Sequence, residues 1–517
     1  MNRSYSKHPV PDHLFDAADE QYAMMKKTLT SQDFQSKPEA AVERWLQVEQ
    51  HELLRRMLQS HLTLRGQDQA VGAVVGADGE ERTHVRQGKV RQLETTFGTV
   101  EVERTAHGGR GLSELHPVDA SLNLPVRLYS HEVKRQIAMA TARMSFDAAG
   151  SMLRLLTAAG VPKRQAEELA QQAAKDFEAF YDGSDFVVDQ PTSSLLLLTF
   201  DQKGVVMRKE DLTHATRKAA ESKKSKLDTR VSKGEKPGRK RMATVAAVYS
   251  VAPFVRSAQE VIAGLKHVRD ATQKTRPRPE FKRVWATLTR SPQEVIAEAF
   301  AEAQKRDPEH KKRWLVLLDG CPKLERWVRA EARRLGIEVT LVLDFIHALE
   351  YLWKAAHVFF DEGTPAIEAW VLQRLEWMLQ GKTSSLVAGM TRMATVRGLT
   401  AKQRAPVDKA AKYLLKRKDM MRYDELLALG APIASGVIEG ACRHLINDRL
   451  ALTGARWRLP CAEAVLRLRS MLSSGDFDTY WEFHEQEEAR RNHASRYVDG
   501  KVPVVEKTRG KRHLRVV

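Results

Sequence analysis

Apolar residues in the middle of the chain form short runs, and two of these runs end at an aspartate. Residues 195–200 are mostly leucine and are followed by Asp201, while residues 314–318 are followed by Asp319 and Gly320. Short apolar runs of this length are typical of buried strands. Ligands usually collect where the strands of an α/β sheet end, so we expect the two aspartates to lie together there. An aspartate followed by glycine is also a common turn signal, and this interpretation remains open for each residue alone.

The order of these runs and of the helical patterns predicts an α/β fold. The first two strands are expected to be adjacent and joined through residues 201–203. Three early strands followed by helix, strand, helix and strand correspond to a ribonuclease-H-like mixed sheet. Residues 345–428 show no strand pattern and predict an all-α insertion. We expect strands at 195–200, 204–208, 242–251, 314–318 and 339–343, and helices at 291–305 and 324–335.

The region before residue 184 predicts a mainly helical DNA-binding region that contains a β-hairpin. Residues 89–94 and 99–104 alternate apolar and polar positions around a Phe-Gly turn, as in a hairpin. Residues 130–181 have a helical pattern broken at 160–162, and Lys163 and Arg164 open the second part. A helix, a short glycine-containing turn and a second helix form the helix-turn-helix pattern of DNA-binding proteins. Any helical hairpin gives the same pattern, so simple packing is the alternative.

These patterns divide the chain into six segments. In order, they are an N-terminal helical region (1–88), a hairpin and helix-turn-helix-like DNA-binding region (89–183), the first part of the ribonuclease-H-like catalytic core (184–350), a helical insertion (351–430), the second part of the core (431–495) and a basic tail (496–517).

The charge of the chain favours a polyanionic partner. It contains 84 Lys and Arg against 66 Asp and Glu, a formal net charge of +18 in 517 residues. Neutralisation of phosphates supplies most non-specific affinity for nucleic acids, so DNA is the expected partner. A basic run at 217–241 interrupts the predicted sheet, although such runs are often only solvated surface. The predicted DNA contacts are Lys163, Arg164, Lys223, Lys224, Lys226, Arg230, Lys233, Lys236, Arg239, Lys240, Arg241, Arg443, Arg456 and Trp457.

Cysteine content and hydropathy indicate the compartment. Cys321, Cys442 and Cys461 form no Cys-x-x-Cys pair and are too few for a disulfide framework, which is typical of reduced cytosolic proteins. The N-terminal residues lack the apolar core of a signal peptide, and no apolar run approaches the roughly 18 residues that span a bilayer. We therefore expect a cytoplasmic protein with no membrane partner.

A third acidic residue, Glu439, completes a candidate metal site. It lies in a segment that begins at Ser435 and has the pattern of the first turns of a helix. Two carboxylates at strand ends and one on a helix can converge on two Mg²⁺ or Mn²⁺ ions, which prefer carboxylate oxygens. Two such ions ~4 Å apart activate the attacking oxygen and stabilise the leaving oxygen in phosphodiester chemistry. Asp201, Asp319 and Glu439 are therefore the predicted metal ligands and catalytic residues.

Several motifs resemble the DDE transposases of bacterial insertion sequences, specifically the Kra-type family related to the Mutator group. They are Thr-Phe-Asp-Gln-Lys-Gly at 199–204, Leu-Leu-Asp-Gly at 317–320, the segment 344–356, Gly-Val-Ile-Glu-Gly-Ala-Cys-Arg-His at 436–444 and Thr-Gly-Ala-Arg-Trp at 453–457. The resemblance covers about residues 90–495. It implies a transposase that binds the terminal inverted repeats of its element and catalyses Mg-dependent hydrolysis and strand transfer. It also implies a homodimer or higher oligomer on DNA, associated with the bacterial nucleoid.

The segment Asp344-x-x-His347 is similar to a (Cys or Asp)-x-x-His signature of the Mutator-related group. Three-residue spacing places both side chains on one face of a first helical turn. The resemblance implies an accessory role at the metal or the scissile phosphate, while Asp344 is equally suited to cap the helix. Relatives often carry Cys-x-x-Cys pairs after the hairpin, but residues 105–110 here contain no cysteine. The mode of N-terminal DNA recognition is therefore not carried over from the family.

Two other functions remain open at this stage. One is a DNA-binding protein derived from a transposase that no longer catalyses a reaction. The other is a ribonuclease-H-like nuclease that does not transfer strands.

Overall fold

The computed structural model describes residues 13–183, 194–222, 239–265, 275–452 and 454–507. The chain forms two compact units. The first contains residues 1–182 and 477–517, and the second contains residues 183–476.

The first unit begins with helices and continues into a small antiparallel sheet and a group of helices. Its N-terminal elements are α1 Asp16–Leu29, α2 Gln32–Gln35, α3 Glu39–Gly66, β1 Asp68–Ala70, β2 His84–Thr95, β3 Gly98–Gly109, β4 Leu112–Leu115, α4 Pro117–Ser121, α5 His131–Arg143, α6 Phe146–Leu156, α7 Lys163–Ala173 and α8 Phe177–Gly183. Strands β2, β3 and β4 form one sheet in that order. The predicted hairpin is present, and it is longer than the sequence pattern indicated.

Helices α5, α6 and α7 share one apolar core. Ile137, Leu153 and Leu169 belong to the same buried cluster, with Val161 contributed by the turn between α6 and α7. The backbone approaches closely here, since a Cβ on Gly150 would lie 2.4 Å from the Val161 carbonyl oxygen. The predicted break between the two helices is therefore present and is fixed by packing.

The second unit is a mixed α/β structure. Its elements are β5 Leu195–Val206, α9 His214–Glu221, β6 Lys240–Val251, α10 Ala258–Leu265, β7 Glu280–Thr287, α11 Pro292–Arg306, β8 Trp314–Leu318, α12 Pro322–Leu335, β9 Thr340–Leu343, α13 Phe345–Ala356, α14 Pro365–Leu379, α15 Thr383–Val396, α16 Ala401–Lys416, α17 Tyr423–Ala428, α18 Gly436–Ala441, α19 Asp448–Leu450 and α20 Leu459–Ser474. A π-helical segment, Cys442–Asn447, joins α18 to α19.

A five-stranded sheet forms the core of this unit, in the order β7-β6-β5-β8-β9. Strand β5 pairs antiparallel with β6 and parallel with β8, while β6–β7 is antiparallel and β8–β9 is parallel. The central strand is almost entirely buried along 195–200. Continuous apolar runs in the parallel strands β5, β8 and β9 explain this burial, since parallel strands are usually covered on both faces.

Two of the predicted strands are one strand in the structure. Residues 201–203 do not turn, because Asp201, Gln202 and Lys203 remain paired with Val245, Thr244 and Ala243 of β6. The predicted strands at 195–200 and 204–208 are therefore wrong as separate elements and form the single strand β5. The third antiparallel strand is instead β7, which the sequence analysis did not predict.

The chain ends with α21 Phe477–Asn492 and β10 Val505–Lys507, both in the first unit. Tyr480 of α21 is fully buried and donates a hydrogen bond to the Ala173 carbonyl oxygen over 2.6 Å. His484 is 2.7 Å from the carboxylate of Asp176. Strand β10 pairs antiparallel with β1. This grouping differs from the sequence-based division, which assigned residues up to 495 to the catalytic core.

In the described residues, no helix is both long enough and apolar enough to cross a membrane.

Candidate active site

The parallel pair β5 and β8 brings Asp201 and Asp319 to the same level of the sheet. The last paired residues are Thr199 and Leu317, and each aspartate lies two positions further along its chain. Neighbouring strands are ~4.8 Å apart, so this alignment favours close approach of the two side chains. Burial, and in addition the negative charge of Asp201, raises the pKa of the Asp319 carboxyl. The two carboxylates therefore interact electrostatically.

Helix α16 holds the backbone that carries Asp319. The Tyr413 hydroxyl donates a hydrogen bond to the Asp319 carbonyl oxygen over 2.9 Å. Arg417 Nε donates to the Gly320 carbonyl oxygen over 3.0 Å, and its guanidinium lies over the Tyr413 ring. Asp319 Oδ1 accepts a 2.7 Å bond from the backbone N–H of Cys321. The sequence analysis did not identify Tyr413 or Arg417, because only the folded insertion brings them to this turn.

Both carboxylate oxygens of Asp201 accept hydrogen bonds within the protein. Oδ1 accepts a 2.6 Å bond from the Gln202 N–H, and Oδ2 accepts from the Cys442 thiol, with Sγ 3.1 Å away. Burial and the nearby Asp201 carboxylate raise the pKa of Cys442, so its thiol stays protonated and acts as the donor. The sequence analysis did not assign Cys442 to the site. Its position three residues after Glu439, on the same helical face, is a signal that could have identified it.

Glu439 lies on α18 with an exposed side chain. Partial burial, and then the negative charge of Asp344 and Asp201, raise the pKa of Glu439, while His347 acts in the opposite direction. These effects place Glu439 within electrostatic reach of Asp201. The third acid is therefore in the same region as the first.

The helix that carries Glu439 changes its winding one turn later. The π-helical segment begins at Cys442, the residue that donates to Asp201. Arg469 of α20 donates to the carbonyl oxygens of His444 and Leu445, the latter over 3.0 Å. Single π-helical turns inside α-helices are frequent at functional sites. Here the altered winding coincides with the contact between Cys442 and Asp201.

Asp344 is fully buried and caps α13. Its Oδ1 accepts from the N–H groups of Ile346 and His347 over 2.7 and 3.3 Å. Its Oδ2 accepts from the backbone N–H of Ser435 over 2.7 Å and from the hydroxyl of the same residue. The structure therefore gives Asp344 the capping role that the sequence left open. His347 is half-buried and lies within electrostatic reach of both Asp319 and Glu439.

The predicted DNA contacts fall into two groups. Lys163, Arg164, Arg239, Lys240, Arg443 and Arg456 are exposed. Of these, Arg164 is 3.2 Å from Glu168 and Arg443 is 3.7 Å from Asp448. The remaining basic run lies outside the described residues, and it comprises Lys223, Lys224, Lys226, Arg230, Lys233 and Lys236.

Two of the predicted DNA contacts are engaged within the protein. Trp457 is buried, its indole N–H donates to the Leu450 carbonyl oxygen over 3.1 Å, and Arg449 lies over its ring. In this structure it packs as a core residue. Arg241 donates to the carbonyl oxygens of Leu288 and Asp211, so its guanidinium joins backbone segments.

The donor chemistry of the three acids fits a divalent cation, but their side chains are not gathered around one point. Oxygen donors are the ligands that Mg²⁺ and Mn²⁺ prefer. Burial first, and then neighbouring carboxylates, raise the pKa values of Asp319 and Glu439, and a bound cation would favour the charged forms. Among the described residues, however, no group of three or more His, Cys, Asp or Glu side chains is arranged to hold a metal ion.

Comparisons with known proteins leave the family open. No family model and no curated protein sequence matches the chain. Among solved structures, the chain is similar to the Drosophila P element transposase strand transfer complex, with a TM-score of 0.23 and 9% identity over 73% of this chain and 84% of that chain. A similarity of this size does not define a fold. We therefore base the functional proposal on the chain's own residues.

Proposed function

We propose that this protein is a DDE transposase, a metal-dependent polynucleotidyl transferase of an insertion sequence. It binds the terminal inverted repeats of its element, hydrolyses a phosphodiester at the element's end and transfers the new strand end to target DNA. The observation that carries this proposal is the alignment of Asp201 and Asp319 on adjacent parallel strands, with Glu439 in electrostatic reach.

The topology of the sheet supports a ribonuclease-H-like core. The first three strands of the unit are antiparallel neighbours, and the fourth and fifth are parallel to the first on its other side. The acids then lie on the first strand, after the fourth strand and on a later helix. This is the distribution that the sequence resemblance to Kra-type transposases implies.

Asp201, Asp319 and Glu439 are the residues that would hold the ions. Two bound Mg²⁺ or Mn²⁺ ions would supply charge to activate the attacking oxygen and stabilise the leaving oxygen. The chain's own contribution is positioning. Cys442 fixes the carboxylate of Asp201 through a thiol hydrogen bond, and Tyr413 and Arg417 fix the turn after Asp319. Half-buried His347, in electrostatic reach of Asp319 and Glu439, is the proposed accessory residue and would act at the metal or the scissile phosphate.

The proposed partner is DNA, and the charge of the chain supports it. A net charge of +18 favours phosphate binding, and exposed basic side chains occur at the start of α7 and beside Glu439. A homodimer or higher oligomer is proposed because two element ends must be brought together before strand transfer.

The test is metal-dependent cleavage of a labelled duplex carrying the element's terminal repeat. We expect the wild type to cut with Mg²⁺ or Mn²⁺. Glu439→Gln removes a charged metal ligand and should reduce the cleavage rate by roughly 1,000-fold, which is on the order of the loss when one key electrostatic group is removed from an active site. Binding of the duplex should be unchanged. The matched control is Glu368→Gln, at an exposed glutamate of α14 that does not contribute to the raised pKa of Asp319 or Glu439. Equal loss in both variants would contradict the proposed site.

A second candidate is a transposase-derived protein that binds DNA without catalysis. It is favoured by the state of Asp201, whose two oxygens already accept bonds from Gln202 and Cys442. Specific binding without cutting under either metal would support this candidate. Cutting without joining of the cut ends to a target duplex would instead support a ribonuclease-H-like nuclease.

A further inference from the structure

A basic cavity in the first unit lies entirely outside the proposed catalytic unit. Its volume is about 450 Å³, within the usual range of sites for small ligands. It is formed between strands β2 and β3, the segment after α4, and the residues that follow α21. The lining includes four arginines and one acid, namely Arg91, Arg104, Arg127, Arg496 and Asp119.

The buried part of the cavity keeps an excess of positive charge. The side chains of Arg91 and Arg104 are only 14% and 18% exposed, and both face the same carboxylate of Asp119. Asp119 Oδ2 pairs with Arg104 and lies 3.7 Å from Arg91 Nη1. A single carboxylate balances one of the two guanidinium charges. Arg91 also donates to the carbonyl oxygens of Pro125 and Arg127, over 2.7 and 3.0 Å, which satisfies donors but does not neutralise its charge. An anionic ligand would balance the charge that Asp119 leaves.

Two polar atoms of this cluster have no partner in the structure. Asp119 Oδ1 and Arg104 Nε are both buried without a hydrogen bond. Buried polar groups are nearly always paired, and exceptions often mark functional positions. Arg104 therefore retains one unused hydrogen-bond donor at the wall of the cavity.

The other two arginines of the cavity, Arg127 and Arg496, are exposed and make few polar contacts. Arg127 is 69% exposed, and its nearest acid is Glu168, with the charged atoms 4.0 Å apart. Arg496 is also exposed and donates to the Glu114 carbonyl oxygen, so its charge is not neutralised by that bond. Both side chains can turn toward a ligand without breaking a buried ion pair.

The histidines of the cavity do not add to this charge. Burial lowers the pKa of both His116 and His493, so both are neutral at neutral pH. His493 Nε2 is already 2.8 Å from the Leu124 carbonyl oxygen. The positive charge of the cavity therefore comes from the arginines and persists across the neutral pH range.

We infer that this cavity binds a phosphate group. Guanidinium groups match the oxygens of a phosphate in paired hydrogen bonds, and four of them around one cavity exceed what Asp119 requires. Leu124, Val126 and Leu128 add an apolar part of the lining, against which an uncharged part of the ligand can pack. The phosphate is supplied either by a DNA strand or by a free phosphorylated molecule. The inference that the phosphate belongs to DNA rests on the proposed function, whereas the inference that the cavity binds a phosphate group does not.

The first experiment uses inorganic phosphate and the full chain at constant ionic strength. We expect phosphate to raise the melting temperature of the wild type, and the double variant Arg127→Gln, Arg496→Gln to weaken phosphate binding at least tenfold by calorimetry. Both residues are exposed, so the variant is expected to fold, and its circular dichroism spectrum checks this. Arg110→Gln, at an exposed arginine of the same unit outside the cavity, removes one charge as a control.

The second experiment distinguishes the two sources of phosphate. The dissociation constant of a labelled duplex is measured from low to moderate salt, and the slope of its logarithm against log salt counts the phosphate contacts. If DNA enters the cavity, each of the two substitutions should reduce the slope by about one, and Arg110→Gln should not. Phosphate binding with an unchanged slope would support a free phosphorylated ligand in the same cavity.

The inference is overturned if phosphate neither stabilises nor binds the wild type and the double variant keeps the wild-type salt slope. The proposed function fails separately. Suppose that no metal ion allows the wild type to cut DNA, but that the wild type binds phosphate and the double variant does not. Phosphate binding in the cavity would then be supported, and the transposase proposal would be contradicted.

Discussion

The carboxylate of Asp344 joins two segments that are 91 residues apart in the chain. One oxygen caps α13, which carries His347, and the other holds Ser435 at the start of the helix that carries Glu439. One buried side chain therefore fixes the positions of two elements of the candidate site. In the proposed enzyme its role would be structural, through the positions of these two elements.

Replacing Asp344 by alanine is expected to reduce stability strongly. The change removes a helix cap and leaves the buried N–H of Ser435 without an acceptor, at a combined cost of about 3 kcal/mol. The free energy of unfolding in urea measures this cost. Thr213→Ala removes an exposed cap from α9 and should cost only about 1 kcal/mol. An Asp344→Ala protein of normal stability that had lost cleavage would instead indicate a catalytic role.

The raised pKa of Asp319 predicts an unusual dependence of stability on pH. Between the ordinary pKa of 3.8 and the raised value, the folded state retains a proton that the unfolded state has lost. Stability therefore falls as pH rises through this window, and it stays lower at neutral pH. Asp319→Asn removes the titrating group while keeping an oxygen that can accept from Cys321.

We therefore expect Asp319→Asn to be more stable than the wild type at pH 7 and equally stable below about pH 3.8. Urea midpoints from pH 3 to pH 8, without divalent metal, measure the difference. Asp361→Asn, at an exposed aspartate, corrects for the general loss of one negative charge. A gain of equal size at every pH would show that charge at Asp319 is not its cause.

Residues of the candidate site could be predicted where they belong to a recognisable local pattern, and not where contacts between distant parts of the chain bring them to the site. The aspartates were recognisable because each follows an apolar run, and Glu439 because of its helical motif. Cys442 has only its spacing from Glu439 as a signal, and its contact with Asp201 crosses 241 residues of chain. Tyr413 and Arg417 carry no such pattern, since their role depends on contacts made across 94 and 97 residues. Trp457 was predicted as a DNA contact because sequence does not distinguish a buried indole, as found here, from one that stacks on a base.

At the scale of elements, Gly320 shows how closely α16 approaches the turn after β8. Its φ is +82°, and a Cβ at this position would lie 2.5 Å from the Tyr413 hydroxyl and 2.7 Å from Arg417 Nε. Only glycine combines this backbone conformation with such a close approach. Gly320 is therefore the residue that allows α16 of the helical insertion to pack directly on the turn after β8.

Gly320→Ala should consequently affect the site as well as the fold. Gly336 also has positive φ (+68°), but a Cβ there meets nothing within 4 Å. Gly336→Ala should cost about 1 kcal/mol for backbone strain alone, and Gly320→Ala at least twice that amount because α16 must move. Chemical denaturation compares the two. Equal costs would mean that Tyr413 and Arg417 do not restrain the turn.

Strands β5 and β7 show why part of the sheet escaped prediction. The polar residues 201–203 were interpreted as a turn, yet the chain stays extended because β6 supplies pairing partners throughout. Strand β7 contains buried Arg283, which is atypical of a core strand. Its guanidinium is neutralised by Glu298 and Glu302 of α11, at 2.8 and 2.7 Å. The apolar runs were sufficient to predict the mixed α/β class. The pairing of residues 201–203 with β6 and of Arg283 with α11 depends on contacts that a local sequence pattern does not indicate.

At the scale of the whole molecule, the first unit is built from both ends of the described chain. Helix α21 supplies buried Tyr480, His484 and Glu488 to a unit whose other α-helices all lie before position 184. Lys175 pairs with Glu488, and Arg491 lies 2.9 Å from Asp176. The end of the chain is thus part of the core of this unit.

A chain that stops at residue 476 is therefore expected to lose the stability of its first unit. Removing α21 exposes the apolar surface that Tyr480 and Trp481 cover, so binding of a hydrophobic dye should rise and the melting temperature should fall. A chain that stops at Lys507 keeps every contact described for α21 and serves as the control. Equal melting temperatures for the two truncations would show that α21 is dispensable.

The order of the three acids along the chain also determines when the candidate site can first form during synthesis of the protein. Glu439 is made 120 residues after Asp319, and Tyr413 and Arg417, which secure the turn, lie between them. At a synthesis rate of about 5–20 residues per second, this interval lasts roughly 6–24 s. During that interval the nascent polypeptide carries both aspartates without their third partner. If the proposed function is correct, the nascent chain would therefore be unable to cut DNA near the ribosome before most of it has been translated.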